Sequence, residues 1–207
     1  MTSKTPIIII DYDLGNIASV LNMIRYIGGE ARISASPDEI KSADKLILPG
    51  VGSFDAGMTN LKERRLDKAI LDSIKIRKAM ILGICLGMQL LMESSQEGTL
   101  PGLALVPGKV KKFQVLNQGL RIPHMGWNIV KPKGSSILFQ PDQPEQRFYF
   151  VHSYYADCSN EQDISATTNY GFPFTSAFEH ERILGVQFHP EKSHKYGMEL
   201  LRKFIEA

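Results

Sequence analysis

The stretch Met80-Ile81-Leu82-Gly83-Ile84-Cys85-Leu86-Gly87-Met88-Gln89-Leu90-Leu91 constrains the fold of this chain more than any other. Its first half is a short, continuous apolar run, the pattern of a strand buried on both faces. After Cys85 the apolar residues resume at helical spacing, so the chain must pass from strand to helix within a few residues. Glycines stand two before and two after the cysteine. A side chain at either place would collide with the neighbouring strand or helix across so sharp a turn. The turn is predicted to lift the Cys85 sulfur out of the sheet and set it at a helix N-terminus. Unpaired N–H groups and the positive end of the helix dipole there favour thiolate over thiol. Cys85 is thus a candidate nucleophile. The alternative is a buried cysteine packing as a small hydrophobe, and the pentapeptide alone does not decide.

The rest of the first half fits such a strand. Residues 7–10 predict a first buried strand ending at Asp11. Residues 16–27 carry Ile17, Val20, Leu21, Ile24 and Ile27 at helical spacing and close on Gly28 and Gly29. Residues 31–34 read as a short strand, and Ser36-Pro37-Asp38-Glu39 as a helix start with Ser36 as cap and Pro37 in the first turn. Residues 45–48 predict a third strand running into Pro49-Gly50-Val51-Gly52-Ser53-Phe54, residues 66–76 an amphipathic helix, and residues 80–84 the fourth strand. Alternating strands and helices require a parallel sheet covered on both sides.

The pattern then changes. Gly98, Pro101, Gly102, Pro107 and Gly108 mark a loop. Segments rich in β-branched and aromatic residues follow at 110–115, 128–130, 148–155, 164–168, 175–179 and 183–188, and predict antiparallel strands that extend the sheet. Residues 193–205 predict a closing helix with Met198, Leu201, Phe204 and Ile205 inward. No repeat, low-complexity tract or linker divides the chain. The expectation is one α/β domain over 1–207: a three-layer, flavodoxin-like mixed sheet, parallel at its N-terminal strands and antiparallel in its C-terminal extension.

Composition narrows the function. The 207 residues carry a formal net charge of +2, with 43% hydrophobic and 22% charged residues. That balance gives no reason to expect nucleic acid or an acidic membrane surface as partner. The apolar run at 7–10 is too short for a signal peptide or a membrane span. Cys85 and Cys158 lie far apart without a CxxC, so neither a metal site nor a disulfide framework is expected, and a reducing cytoplasm fits. Cys158 is expected to be structural and unreactive.

Thiolate chemistry needs a base that takes and returns protons, and a group that holds the base. Gln187-Phe188-His189-Pro190-Glu191 supplies both residue types. His189 falls at the end of a strand, on the edge where parallel sheets gather their sites. Pro190 stiffens the next step, so that Glu191 can turn back and fix the imidazole tautomer. A plain surface turn is the alternative for this segment by itself. His180 and His194 sit among polar residues and are expected at the surface; His124 and His152 sit among apolar or aromatic residues and read as structural. Acyl transfer also needs N–H donors for the developing oxyanion. Leu86 N–H, just after the nucleophile, is one; Gly50-Val51-Gly52, on the predicted neighbouring strand, offers a second. The segment fails as a dinucleotide loop, because the third glycine of GxGxxG would fall on Asp55. Gln89 lies one helical turn beyond Cys85, on the same face.

Together, Gly83–Gln89, Pro49–Phe54 and Gln187–Ser193 resemble the class I (triad) glutamine amidotransferases. Asp11-Tyr12 with Gly15-Asn16, Pro123–Asn128 and Phe150–Tyr154 are similar, more narrowly, to the glutaminase subunits of imidazole glycerol phosphate synthases, enzymes of histidine biosynthesis. The resemblance implies that Cys85 attacks the glutamine side-chain amide to form a thioester, that His189 is the acid and base, and that Glu191 orients it. It implies Gly52 and Leu86 as oxyanion donors and Gln89, Ser153 and Tyr154 as holders of the amino-acid end of glutamine. No cofactor is implied.

Members of this family work with a (β/α)₈-barrel synthase that consumes the ammonia. This chain has no barrel, so the resemblance implies a separate subunit and a heterodimer, with Asn16, Trp127, Tyr149 and Lys192 as candidates for the contact face. An alternative customer for the ammonia is a sugar-amidating partner in surface polysaccharide synthesis. A cysteine hydrolase of another kind, or a binding module without chemistry, would not need all these motifs.

Overall fold

A computed structural model describes residues 6–114 and 119–207. Strand β1 (Ile7–Ile10) is buried along its whole length. Its alternation is still informative: Ile7 and Ile9 enter one apolar core, Ile8 and Ile10 the other. Side chains on a strand alternate sides, so a strand with helices on both faces must be apolar throughout. Each of these isoleucines contributes roughly 1.5–3 kcal/mol by leaving water.

Helix α1 (Ile17–Tyr26) follows β1 and buries Val20 and Ile24. Next come β2 (Ala31–Ser34), α2 (Pro37–Ser42) and β3 (Lys45–Gly50). Ser36 caps α2 by accepting the Glu39 N–H at 3.5 Å, with Pro37 at the first helical position. Two helices then cover the same face, α3 (Phe54–Glu63) and α4 (Leu66–Arg77), before β4 (Met80–Cys85) and the short α5 (Leu86–Leu90). The helix at 54–63 has no counterpart among the sequence expectations.

The second half holds β5 (Met92–Ser95), β6 (Val106–Lys112), β7 (His124–Pro132), β8 (Gln146–His152), β9 (Tyr154–Cys158), β10 (Ile164–Asn169), β11 (Pro173–His180) and β12 (Ile183–Val186), then α6 (His194–Glu206). The sheet order is β2-β1-β3-β4-β12-β11-β10-β7-β8, with β5, β6 and β9 joined through β9 to β11. The first five strands are parallel, in the flavodoxin-type order with β12 in the fifth place. The main path is antiparallel from β12 outward. Helices α1 and α6 cover one face; α2, α3, α4 and α5 cover the other.

Four sequence expectations are corrected. The strand at 183–188 is not part of the antiparallel extension alone: β12 ends at Val186, pairs antiparallel with β11, and lies parallel to β4. A tight reversal after β11 turns it into the direction of the parallel half. The segment 148–155 is two strands, broken at Ser153, because β8 pairs with β7 while β9 pairs with β6 and β11. The strand expected at 110–115 starts earlier, at Val106, and ends at Lys112; Val115 lies outside the described residues. In α6 Leu200 rather than Met198 is fully inside, next to Leu201 and Phe204.

Candidate active site

Cys85 ends β4 with φ 54° and ψ −111°, a left-handed backbone that a side-chain-bearing residue rarely adopts. The crowding around the turn explains its glycines. A Cβ on Gly87 would lie 1.7 Å from the Leu48 carbonyl oxygen, and one on Gly83 would lie 2.7 Å from the Gly87 oxygen and the Met88 nitrogen. Leu86 is the first residue of α5, so its N–H has no acceptor within the helix.

Sheet register brings the other two segments to the cysteine. Strand β3 aligns Gly50 with Cys85, and β12 aligns Val186 with Ile84. The chain beyond β12 therefore emerges next to Cys85. There His189 Nδ1 donates to Glu191 Oε1 at 2.8 Å, both side chains being almost fully buried. The turn is stapled to β8: His189 N–H donates to the Tyr149 carbonyl, Tyr149 N–H donates to Ser193 Oγ, and Ser193 Oγ donates to the His189 carbonyl at 2.6 Å. Burial pushes the imidazole of His189 down, but the adjacent Cys85 and the hydrogen-bonded Glu191 outweigh it, and its pKa rises to about 9. Nε2 is buried and forms no fully aligned hydrogen bond, so its interaction with the sulfur is set by proximity and charge.

A cavity of about 310 Å³ opens over the sulfur, and Gly52, Cys85, Leu86, Gln89, Ser153 and Tyr154 all line it. Gln89 is fixed: Nε2 donates to the Tyr154 carbonyl at 3.1 Å and to Gln187 Oε1 at 3.0 Å. Gly50 has no room for a side chain either, since a Cβ there would meet the Tyr12 hydroxyl at 2.2 Å. The buried Tyr12 phenol is pushed up by desolvation and by the nearby Cys85.

Two polar residues not expected at the site also line the cavity. Glu97 brings a carboxylate to the cavity, and its Oε2 accepts the Phe54 N–H at the start of α3. His152 lines it from β8. Gln187 also went unassigned; it is fully buried, with Nε2 3.8 Å from Cys85 Sγ. The adjacent Gln187-Phe188-His189 run was a signal for Gln187, but Glu97 had none, because only the folded loop carries it to the site.

His124 and His152 face each other across β7 and β8 and are bonded, Nδ1 to Nε2, at 2.9 Å. Burial lowers His124 to about 4, and burial with two neighbouring imidazoles lowers His152 to about 3. Both are neutral near pH 7. His180 is not at the open surface as expected: it is half-buried against Asp163 at 3.0 Å. Burial pushes the Cys158 thiol up to about 12.

Three of the four candidate contact residues come together. Trp127 lies opposite Tyr149 on β7 and β8, stacks on the exposed His194 ring at 5.6 Å, and remains 47% exposed. Lys192 Nζ sits 5.9 Å from the Tyr149 ring centre. Asn16 does not join these rings; it precedes α1, which packs against the 190–192 turn. Among the described residues no helix is long and apolar enough to cross a membrane, and no cluster of His, Cys, Asp or Glu is placed to hold a metal ion.

A family model described as glutamine amidotransferase class-I matches residues 8–207. The chain is 52% identical to "Imidazole glycerol phosphate synthase subunit HisH 2" of Methanococcus maripaludis, over 97% of this chain and 98% of that relative. It is 44% identical to the Pseudomonas aeruginosa protein of the same name, with the same coverage. Among solved structures, "PurLQS from Thermotoga maritima" superposes with a TM-score of 0.77 at 16% identity, over 98% of each chain, a likeness of fold. With the family model spanning nearly its whole length, the chain belongs to the class-I glutamine amidotransferases.

Proposed function

We propose that this chain is the glutaminase subunit of an imidazole glycerol phosphate synthase. The observation that carries the reading is the buried Cys85–His189–Glu191 group at the carboxyl ends of two adjacent parallel strands, on the floor of an open cavity. Cys85 attacks the side-chain amide carbon of glutamine. His189 passes its proton to the departing nitrogen, and ammonia leaves a γ-glutamyl thioester. His189 then takes a proton from water, which attacks the thioester and releases glutamate. Glu191 holds Nδ1–H, so that Nε2 faces the reacting atoms. Gly52 and Leu86 supply N–H groups to the oxyanion, each worth roughly 2.7–4 kcal/mol in such sites. Gln89, Ser153 and Tyr154 hold the amino-acid end, and the Glu97 carboxylate suits its ammonium group.

The partner is a separate (β/α)₈-barrel synthase subunit, docked on the outward face of β7 and β8. That face runs from Met125 and Trp127 to Val151, which also lines the cavity. A subunit seated there covers the mouth. The cover matters because ammonia in water near neutral pH is mostly protonated and no longer a nucleophile; a closed interface keeps it reactive. A reducing cytoplasm suits the two free thiols.

The test measures glutamate formed from glutamine by the chain alone and with its synthase subunit. Low release alone, a large rise in the complex, and a fall of roughly 1,000-fold or more in Cys85→Ala are expected. A Cys85→Ala complex that keeps its rate ends the thioester reading. Restored growth without histidine, in a strain lacking its own glutaminase subunit, checks the customer. Retained glutaminase activity without such growth would move the ammonia to another acceptor, such as a sugar precursor.

A further inference from the structure

We propose that Gln187 is a positioning residue for the nucleophile, donating an amide N–H to the Cys85 sulfur so that the thiolate is favoured and held in place. The inference rests on Cys85 being the nucleophile, and it adds a donor that no motif argument assigned.

The direction of the bond is forced from outside. A main-chain carbonyl can only accept, and the Tyr154 carbonyl has two neighbours: His152 Nδ1 at 2.7 Å and Gln89 Nε2 at 3.1 Å. The end of Gln89 that faces it must therefore be the nitrogen. That same nitrogen has a second proton, which goes to Gln187 Oε1 at 3.0 Å. With its oxygen engaged, Gln187 has only its NH₂ group to present to Cys85 Sγ, 3.8 Å away. Amide orientations are ordinarily ambiguous. Here the ambiguity is removed by a carbonyl two links away.

The far side is equally directional. His152 uses Nδ1–H on the Tyr154 carbonyl, so its Nε2 accepts from His124 Nδ1–H, and His124 Nε2 accepts from Asn128 Nδ2 at 3.1 Å. Turning any one amide round would set oxygen against oxygen, or leave a buried group unpaired. Gln187 is fully buried, so water does not compete for its protons. A thiolate is a far better acceptor than a thiol, and a bond to the charged form favours that form.

The titratable groups around the sulfur are His189 from the turn after β12 and Tyr12 from the loop after β1, with Glu97, His152 and Tyr154 on the cavity wall. Gln187 carries no charge, so its loss should displace the titration of the Cys85–His189 pair without adding a step.

The experiment follows the rate at which iodoacetamide alkylates Cys85 from about pH 5 to about pH 10 in the full-length chain, read on the Cys85 peptide by mass spectrometry. Gln187→Met keeps the length of the side chain and removes the donor. Gln187→Glu keeps the acceptor for Gln89 and puts negative charge beside the sulfur. The expected result is a midpoint displaced upward by about one unit in Gln187→Met, hence about tenfold slower alkylation below the midpoint, and by more in Gln187→Glu. In the complex with the synthase, kcat should fall with KM little changed. Profiles that superimpose on the unmodified protein in a folded variant overturn the proposal. If Gln187→Met does not fold, the neutral Gln187→Leu decides by the same criterion. Superimposed profiles together with an inactive Cys85→Ala would remove only the role of Gln187; an active Cys85→Ala would remove the thioester reading itself.

Discussion

Three buried histidines in one site are driven in opposite directions by what faces them. For His124 and His152 desolvation decides, helped at His152 by the neighbouring His124 and His189 imidazoles, and their pKa values fall to about 4 and about 3. His189 is as buried, yet Cys85 and Glu191 hold its proton and lift it to about 9. The consequences for stability differ in sign. Below the ordinary imidazole value of about 6.5, the unfolded chain takes protons that folded His124 and His152 refuse. Their contribution is present above about 6.5 and is lost as pH falls towards about 4 and then about 3. His189 binds its proton more tightly when folded, so its contribution is full below about 6.5 and is lost as pH rises through about 9. Urea unfolding at several pH values should therefore show an acid limb that His152→Gln flattens and an alkaline limb that His189→Ala flattens. Parallel limbs in variant and unmodified chain would show that these imidazoles do not carry the linkage.

At the scale of elements, the β4–α5 turn is where packing is least forgiving. A methyl group on Gly87 would have to share space with the Leu48 carbonyl oxygen, 1.7 Å away, and that carbonyl belongs to β3, whose ladder to β4 sets the site. Ordinary overpacking costs about 1–3 kcal/mol. Gly87→Ala should reach or exceed the top of that range, lowering the calorimetric melting temperature by roughly 6–12 °C or preventing folding. A melt within about 2 °C of the unmodified chain would mean that α5 can slide on β3. The same turn explains what the sequence disclosed. Strands buried on both faces and the glycines around Cys85 are local patterns, and they gave the parallel half, the elbow and the adjacency of β3 to β4. Strand partners are not local. Nothing in residues 148–155 says that Ser153 divides a strand bound to β7 from one bound to β6 and β11. The parallel direction of β12 depends on its insertion beside β4. Glu97 is hidden for the same reason, since it reaches the cavity on a loop tied to α3, where Asp55 accepts the Thr99 and Leu100 N–H groups; Gln187 has a local marker in its neighbour His189, but its approach to Cys85 comes from the register of β12 beside β4.

For the molecule as a whole, the β7–β8 pair presents two different faces by its alternation. Inward side chains His124, Phe148, Phe150 and His152 are buried, whereas outward ones include Trp127 and the 61% exposed Met125. Exposed aromatic and apolar groups at the lip of a cavity fit a docking face better than a solvated one. The face is also tied to His189, because Tyr149 holds it through main-chain groups while its ring faces Trp127 and Lys192. Shortening a ring there should therefore weaken docking while the staple on His189 stays. Trp127 is the largest exposed ring and rests on His194 with planes 4° apart, so little ordering is left to do on binding. Trp127→Ala should raise the dissociation constant for the synthase subunit by roughly 30-fold, the effect of losing about 2 kcal/mol at a buried anchor. Lys192→Ala, which removes a cation 5.9 Å from the Tyr149 ring centre, should change it only about two- to fivefold. Calorimetric titration of each variant with the synthase subunit measures both. More ammonia should also escape, so glutamate formed per product made should rise in Trp127→Ala at subsaturating partner. Affinity unchanged within twofold in Trp127→Ala would place the synthase on another face, and the cover over the cavity would have to come from elsewhere.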